Sequence, residues 1–159
     1  MTQNATLRFN EGAGVTRGAK VRLGVSATLR DQQGRVLLQK RTDGDWWCLP
    51  GGGVDAGETF RAAVVREARE ETGLQVEVVR LLGCYTDPRI CTIYPDGNRI
   101  QIASLNFLCR IVGGEMICEN EETAALRWFA EADLPLNIAP THRQRLNDIF
   151  HPPATLPVD

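Results

Sequence analysis

The sequence predicts an α/β fold, a mixed β-sheet with helices packed on its faces. Two kinds of observation carry this. Short β-rich, alternating runs lie on both sides of one strongly helical segment, and a second helical segment closes the chain, in the order strands, helix, strands, helix.

The elements read as follows. Residues 1–19 carry no long apolar stretch and read as a loose N-terminal extension. Residues 21–29 are β-rich, Asp31-Gln32-Gln33-Gly34 is a turn, and residues 35–41 form a second apolar-leaning run, so the three together predict a hairpin. Trp46-Trp47-Cys48-Leu49-Pro50-Gly51-Gly52-Gly53 is a loop whose glycines let the backbone approach another group closely. Ala, Val, Arg and Glu dominate residues 59–72, which predicts a helix that Gly73 stops in a left-handed conformation. Residues 76–85 and 99–112 read as strands, separated by a loop with Pro88 and Pro95-Asp96-Gly97-Asn98. Gly113-Gly114 turns the chain toward 115–118, residues 126–129 form another short strand, and 131–136 turns again. Pro140 suits the first turn of a final helix over 140–150, with Leu146, Ile149 and Phe150 as its apolar side.

At 159 residues and 43% hydrophobic content the chain suits one core, a domain over 20–150 followed by a tail over 151–159. A net charge of -2, from 20 acidic and 18 basic residues, provides no basic field for long nucleic acid, so a small-molecule partner is expected. No segment resembles a signal peptide or a transmembrane span, which predicts a cytoplasmic protein with no membrane partner. Cys48, Cys84, Cys91, Cys109 and Cys118 form no CxxC pair and read as reduced thiols in or near the core. A redox pair between Cys84 and Cys91 is the alternative.

In Arg66-Glu67-Ala68-Arg69-Glu70-Glu71-Thr72-Gly73, a helix places Glu67, Glu70 and Glu71 on one face. Like charges at this spacing repel by about 0.2–0.5 kcal/mol each unless something positive sits among them. Hard carboxylate oxygens on a rigid helix suit Mg²⁺ or Mn²⁺, which also take phosphate oxygens. An isolated cluster of this kind would ordinarily be a solvated face balanced by Arg66 and Arg69. Its context argues otherwise. From Gly52 to Leu74 the chain reads Gly-x5-Glu-x7-Arg-Glu-Ala-x-Glu-Glu-x-Gly-Leu, with Glu58 at the first acidic position. This resembles the Nudix box at every defined position, with Ala68 small for its aliphatic slot. Trp47-Cys48-Leu49-Pro50-Gly51-Gly52 before it, and Leu126-Arg127-Trp128-Phe129 with Leu134-Pro135 after it, resemble the family's flanking features.

The resemblance implies a Nudix-type α/β/α sandwich around a mixed sheet. It implies that Glu67, Glu70, Glu71 and the Gly51 carbonyl hold the metal, and that Glu58 joins the site by pairing with Arg66, which orients the carboxylates. It also implies hydrolysis of a phosphoanhydride in a nucleoside diphosphate linked to another moiety X, with Mg²⁺ or Mn²⁺. ADP-ribose, nucleotide-sugar-like compounds, nucleoside triphosphates and dinucleoside polyphosphates all remain open as substrates. Family members that cleave ADP-ribose tend to carry a proline about 15 residues beyond the box; here Pro88 falls 14 beyond Leu74. Such domains often pair, so a homodimer is compatible with the sequence.

Glu70 and Glu71 are candidates for the general base, and the family also uses a glutamate in the loop before the Arg-Trp-Phe strand. In that loop Glu122 is the first choice, with Glu121 and Glu119 open. For substrate binding, Trp46, Trp47 and Tyr94 could stack on a base and Arg22, Arg41, Arg89 and Arg99 could meet phosphates; the structural reading of Trp47 is core packing. His142 and His151 have no partner at ligand spacing and receive no role. The alternative function is a nucleotide-sensing module with the same fold and no catalysis. That arises when box glutamates are replaced, and here all are present.

Overall fold

The computed structural model describes residues 6–117 and 121–158. In chain order its elements are β1 (Arg8–Glu11), β2 (Lys20–Leu29), β3 (Val36–Arg41), β4 (Trp47–Cys48), α1 (Phe60–Thr72), β5 (Leu74–Thr86), β6 (Ile90–Ile93), β7 (Arg99–Gly114), β8 (Thr123–Phe129), a 3-10 turn at Glu131–Asp133, and α2 (Pro140–Phe150). The mixed α/β architecture is the expected one, although the strands divide into two sheets.

The larger sheet has five strands built on β7. One edge of β7 pairs in parallel with β2, from Lys20↔Ile100 to Leu29↔Cys109. Its other edge pairs antiparallel with β6 near its start and with β5 along the rest, and β1 extends the sheet beyond β6. The second sheet is antiparallel, in the order β4-β3-β8.

α1 forms where the sequence places it. The Thr59 side chain accepts from the Ala62 N–H at 3.1 Å, satisfying one of the donors a helix start leaves open. Gly73 ends the helix at φ 75, and a Cβ there would also lie 2.3 Å from the Glu115 carbonyl oxygen, so no other residue fits. The inner face of α1 packs Ala63, Val64 and Ala68 against Val25, Ala27 and Leu29 of β2, Leu37 of β3 and Val76 of β5. α2 packs Leu146 and Ile149 against Val36, Leu38 and Phe129 in a second cluster. Successive residues of β3 thus face opposite ways, Leu37 toward the α1 cluster and Leu38 toward the α2 cluster.

That double burial explains why the expected hairpin does not form. The turn is present, with the Asp31 carboxylate accepting from the Gln33 and Arg35 N–H groups at 2.9 Å each. Beyond one bridge, Arg30↔Val36, the strands separate, β2 to β7 and β3 to β8. A strand that is apolar on both faces needs cover on both sides, and each strand finds it in a different sheet.

Other differences are local. The N-terminal extension, read as loose, contains β1, held by the ladder Arg8↔Ile93 to Glu11↔Ile90; the extended residues 90–93 that read as loop supply its partner. The tail is also tied: Cys84 N–H donates to the Pro157 carbonyl at 3.0 Å. Residues 115–117 form no strand, and Cys118 and Glu119 lie outside the described residues. Cys48, Cys84, Cys91 and Cys109 are free thiols, so Cys84 and Cys91 form no disulfide here. Among the described residues no helix is long and apolar enough to cross a membrane.

The feature that positions the site is the loop from β4 to α1, which is stitched along the free edge of β2. Ala27 N–H donates to the Pro50 carbonyl (2.8 Å), Val25 N–H to Gly52 (2.9 Å), and Val54 N–H to Leu23 (3.2 Å). Leu38, fully buried in the α2 cluster, tests this packing. Leu38→Ala is expected to lower unfolding free energy by about 2–5 kcal/mol in urea titration; a loss below about 1 kcal/mol would contradict the burial described.

Candidate active site

α1 presents Glu67, Glu70 and Glu71 toward the stitched loop across a cavity of about 450 Å³. The glycines let that approach happen. Gly51 stands at φ 150, and a Cβ on it would lie 2.2 Å from the Val25 carbonyl oxygen. A Cβ on Gly52 would lie 2.6 Å from the Glu67 carboxylate, so its absence makes room for that side chain.

The three glutamates are held differently. Glu71 is 2% exposed, and its Oε2 accepts from Gln39 Nε2 at 2.5 Å and from the Gly51 N–H at 2.6 Å. Burial outweighs those two donors and pushes its pKa up to about 8. Glu67 is also buried, and burial raises its pKa against the opposing pull of Arg66. Glu70 is the more exposed member.

Arg66 ties most of the cluster together. Its Nε and Nη2 donate to both Glu58 oxygens at 2.6 and 2.9 Å, and its Nη1 donates to Glu67 at 2.9 Å and Glu70 at 3.0 Å. Nη2 also reaches the Gly53 carbonyl at 3.1 Å. The Arg66 hydrogen bonds hold Glu58 down at a pKa of about 2. Glu58 enters from the loop before α1, so it reaches Arg66 despite being out of phase with the helix.

Among the described residues no three His, Cys, Asp or Glu side chains stand arranged as a ready cage for an ion. Arg66 draws Glu67 and Glu70 to itself, while Gln39 and Gly51 hold Glu71. The donor chemistry still fits a hard divalent cation, because Glu67, Glu70 and Glu71 stand together and two of them, Glu67 and Glu71, are buried at an energetic cost that added positive charge would relieve.

The remaining sequence candidates divide. Arg22, Tyr94, Glu121 and Glu122 line the cavity, and the Arg22 guanidinium lies against Gly53. The segment of Glu121 and Glu122 is held by Thr42, whose hydroxyl donates to the Glu121 carbonyl at 2.7 Å and whose N–H donates to that of Glu122 at 3.1 Å. Glu122 acts electrostatically on Glu67, which sets it near the cluster. Arg41 also lines the cavity but is taken up by both Asp43 oxygens at 2.7 Å. Trp46 does not itself line the cavity; its Nε1 donates to the Leu7 carbonyl at 3.2 Å and its ring packs edge-on against Phe9. Arg89 pairs with Asp87, Arg99 donates to the Val15 carbonyl, and Trp47 packs on Phe129 in the core.

Sequence reasoning missed Gln39, His142 and Arg145. Gln39 is the one uncharged polar residue within β3 and fully buried, a signal that was present but weak. His142 lines the cavity and its Nδ1 accepts from the Leu49 N–H at 3.2 Å; burial, then Arg145 and Arg41, push its pKa well below the usual value, so it is neutral. Arg145 lines the same cavity from α2. No local pattern marks either residue, since only tertiary packing brings α2 to this loop.

The close fit at Gly52 yields a test. Gly52→Ala is expected to displace Glu67 and weaken Mn²⁺ binding by about 10- to 100-fold in a titration of the metal alone; unchanged affinity would remove Glu67 from the metal set.

Residues 20–149 match the family model of the NUDIX domain. The chain is 34% identical over 125 residues to a putative 8-oxo-dGTP diphosphatase of Bacillus subtilis, covering 79% of this chain and 77% of that protein. It is 34% identical over 121 residues to an ADP-ribose pyrophosphatase of Methanocaldococcus jannaschii, covering 74% and 67%. A crystal structure of a UDP-X diphosphatase superposes with a TM-score of 0.72 at 25% identity, covering 92% of this chain and 73% of the other. By sequence and by fold, the chain belongs to the Nudix family of pyrophosphohydrolases.

Proposed function

We propose that this chain hydrolyses the phosphoanhydride of a nucleoside diphosphate linked to X, releasing a nucleotide and phosphorylated X, or pyrophosphate where the substrate is a triphosphate. The observation that carries the proposal is the convergence of Glu67, Glu70 and Glu71 with the glycine loop on one cavity, braced by Arg66. Its relatives include proteins named for 8-oxo-dGTP, ADP-ribose and UDP-X, so the class of bond is common to them while the substrate differs. The free thiols suit a reducing cytoplasm.

Glu67, Glu70, Glu71 and the Gly51 carbonyl would hold Mg²⁺ or Mn²⁺. The ion, when bound, neutralises phosphoryl charge and acidifies the attacking water. Arg66 positions: its bonds to Glu58, Glu67 and Glu70 fix the directions of the carboxylates before substrate arrives. Arg22 and Tyr94, which also line the cavity, suit a phosphate and a base respectively. Glu122 faces the cavity from a tethered loop and is the group proposed to take the proton of the attacking water, with Glu70 and Glu71 serving the metal.

A panel of nucleoside diphosphate derivatives and triphosphates with Mg²⁺ is expected to include a class that wild type turns over. Glu70→Gln should abolish that turnover while the melting temperature is retained. Tight nucleotide binding without turnover under Mg²⁺ or Mn²⁺ would instead establish the silent sensing module. Glu122→Gln is expected to lower kcat by about 10²- to 10⁴-fold with little change in KM. The same loss on Glu121→Gln, with Glu122→Gln active, would transfer the role to Glu121.

A further inference from the structure

Arg145 is a buried cation without a carboxylate. Its residue is 3% exposed, its Nη1 lies 3.5 Å from Ser26 Oγ, its guanidinium stands 5.7 Å from the Tyr85 ring centre, and its Nε has no hydrogen-bond partner. Among the described residues it enters no ion pair. Asp148, on the same helix, is engaged instead by the Tyr85 hydroxyl at 3.0 Å and by Gln144 at 2.8 Å. The other buried or half-buried arginines of the cavity are neutralised, Arg66 by glutamates and Arg41 by Asp43. One long contact to a hydroxyl and one ring face do not replace the water a guanidinium gives up on burial. An anion would.

Two further features line the same cavity. Thr92 of β6 is 3% exposed with an unpartnered hydroxyl, and it lines the cavity that holds the glutamates. Thr141, in the first turn of α2, lines that cavity too, at the helix end where the dipole favours negative charge. Arg145, Thr141 and Ile102 also bound a second cavity of about 510 Å³, reaching Thr86, Arg89 and Gln144. Arg145 therefore stands at the partition between the carboxylate cavity and a polar annex.

We propose that Arg145, with Thr92 and Thr141 of the same cavity, binds a phosphoryl group on the X side of the substrate. The enzyme then selects compounds whose X carries a further negative charge, nucleoside triphosphates among them, over those whose X is a neutral sugar. Arg145 acts here as a binding residue that sets specificity, and the glutamate cluster remains the place of bond cleavage. This selection rests on the hydrolase reading above, whereas the anion site itself does not.

Two measurements test it. In the first, inorganic phosphate is added to metal-free protein in EDTA and the melting temperature is followed. Wild type is expected to rise with phosphate concentration and Arg145→Met to show no rise. In the second, kcat/KM with Mg²⁺ is compared for each nucleoside triphosphate and its diphosphate-glucose counterpart. The preference ratio, triphosphate over glucose compound, is expected to fall about 30- to 1,000-fold in Arg145→Met, chiefly through KM. Should the methionine variant fold poorly, Arg145→Gln repeats both measurements. An equal phosphate response in wild type and variant, or a ratio that does not move, overturns the proposal. If wild type turns over nothing while the phosphate response still depends on Arg145, the anion site stands and the hydrolase reading falls.

Discussion

Burying the Glu71 carboxylate on α1 obliges three other segments to meet it. Gln39 from β3 and the Gly51 N–H from the loop both donate to the same oxygen, and Thr123 from β8 donates in turn to Gln39 Oε1 at 2.7 Å. A charge taken out of water without such partners would be strongly destabilising. The network therefore couples helix, small sheet and loop, and it does so at the position where the box glutamates face the cavity. Glu71 is at once a site residue and a fastening of the fold.

Against this fixed point the rest of the cluster is graded. Glu67 is buried but shares Arg66, Glu70 is open to solvent and shares the same guanidinium nitrogen, and Glu58 is bound to Arg66 through both oxygens. A planar guanidinium with a fork of donors can serve all three at defined angles, which an ammonium could not. Glu58, Glu67 and Glu70 are thus oriented by one cation, while burial disfavours the charge on Glu67 and Glu71. Such a set of oxygens gains from a divalent ion more than a solvated acidic face would.

The rest of the cavity lining has another character. α2 brings His142 and Arg145, β6 brings Thr92, and Tyr94 follows β6. A neutral histidine and a buried arginine provide donors and positive charge where the glutamate side provides oxygens. A mixed lining of this kind suits a ligand that is itself divided, with a diphosphate to present to a metal and further polar groups to be recognised away from it.

Local chemistry was enough to read both helices. Thr59, Gly73 and Pro140 mark boundaries within a residue or so of those observed, because caps and stops act over a single turn. The box was legible for the same reason, since the spacing of Glu67, Glu70 and Glu71 is a property of one helix. What the sequence could not decide depends on partners far along the chain. Apolar runs in β2 and β3 signal burial without saying that the two strands join different sheets, and Trp46 reads as a possible stacking ring until Leu7 and Phe9 are seen to cover it. Gln39, His142 and Arg145 acquire meaning only when β3 and α2 are packed beside the loop. The sequence by itself determined that Glu67, Glu70 and Glu71 share one helix face. The tertiary structure decided what surrounds them, because burial and long-range contact are set by the packing of the whole chain.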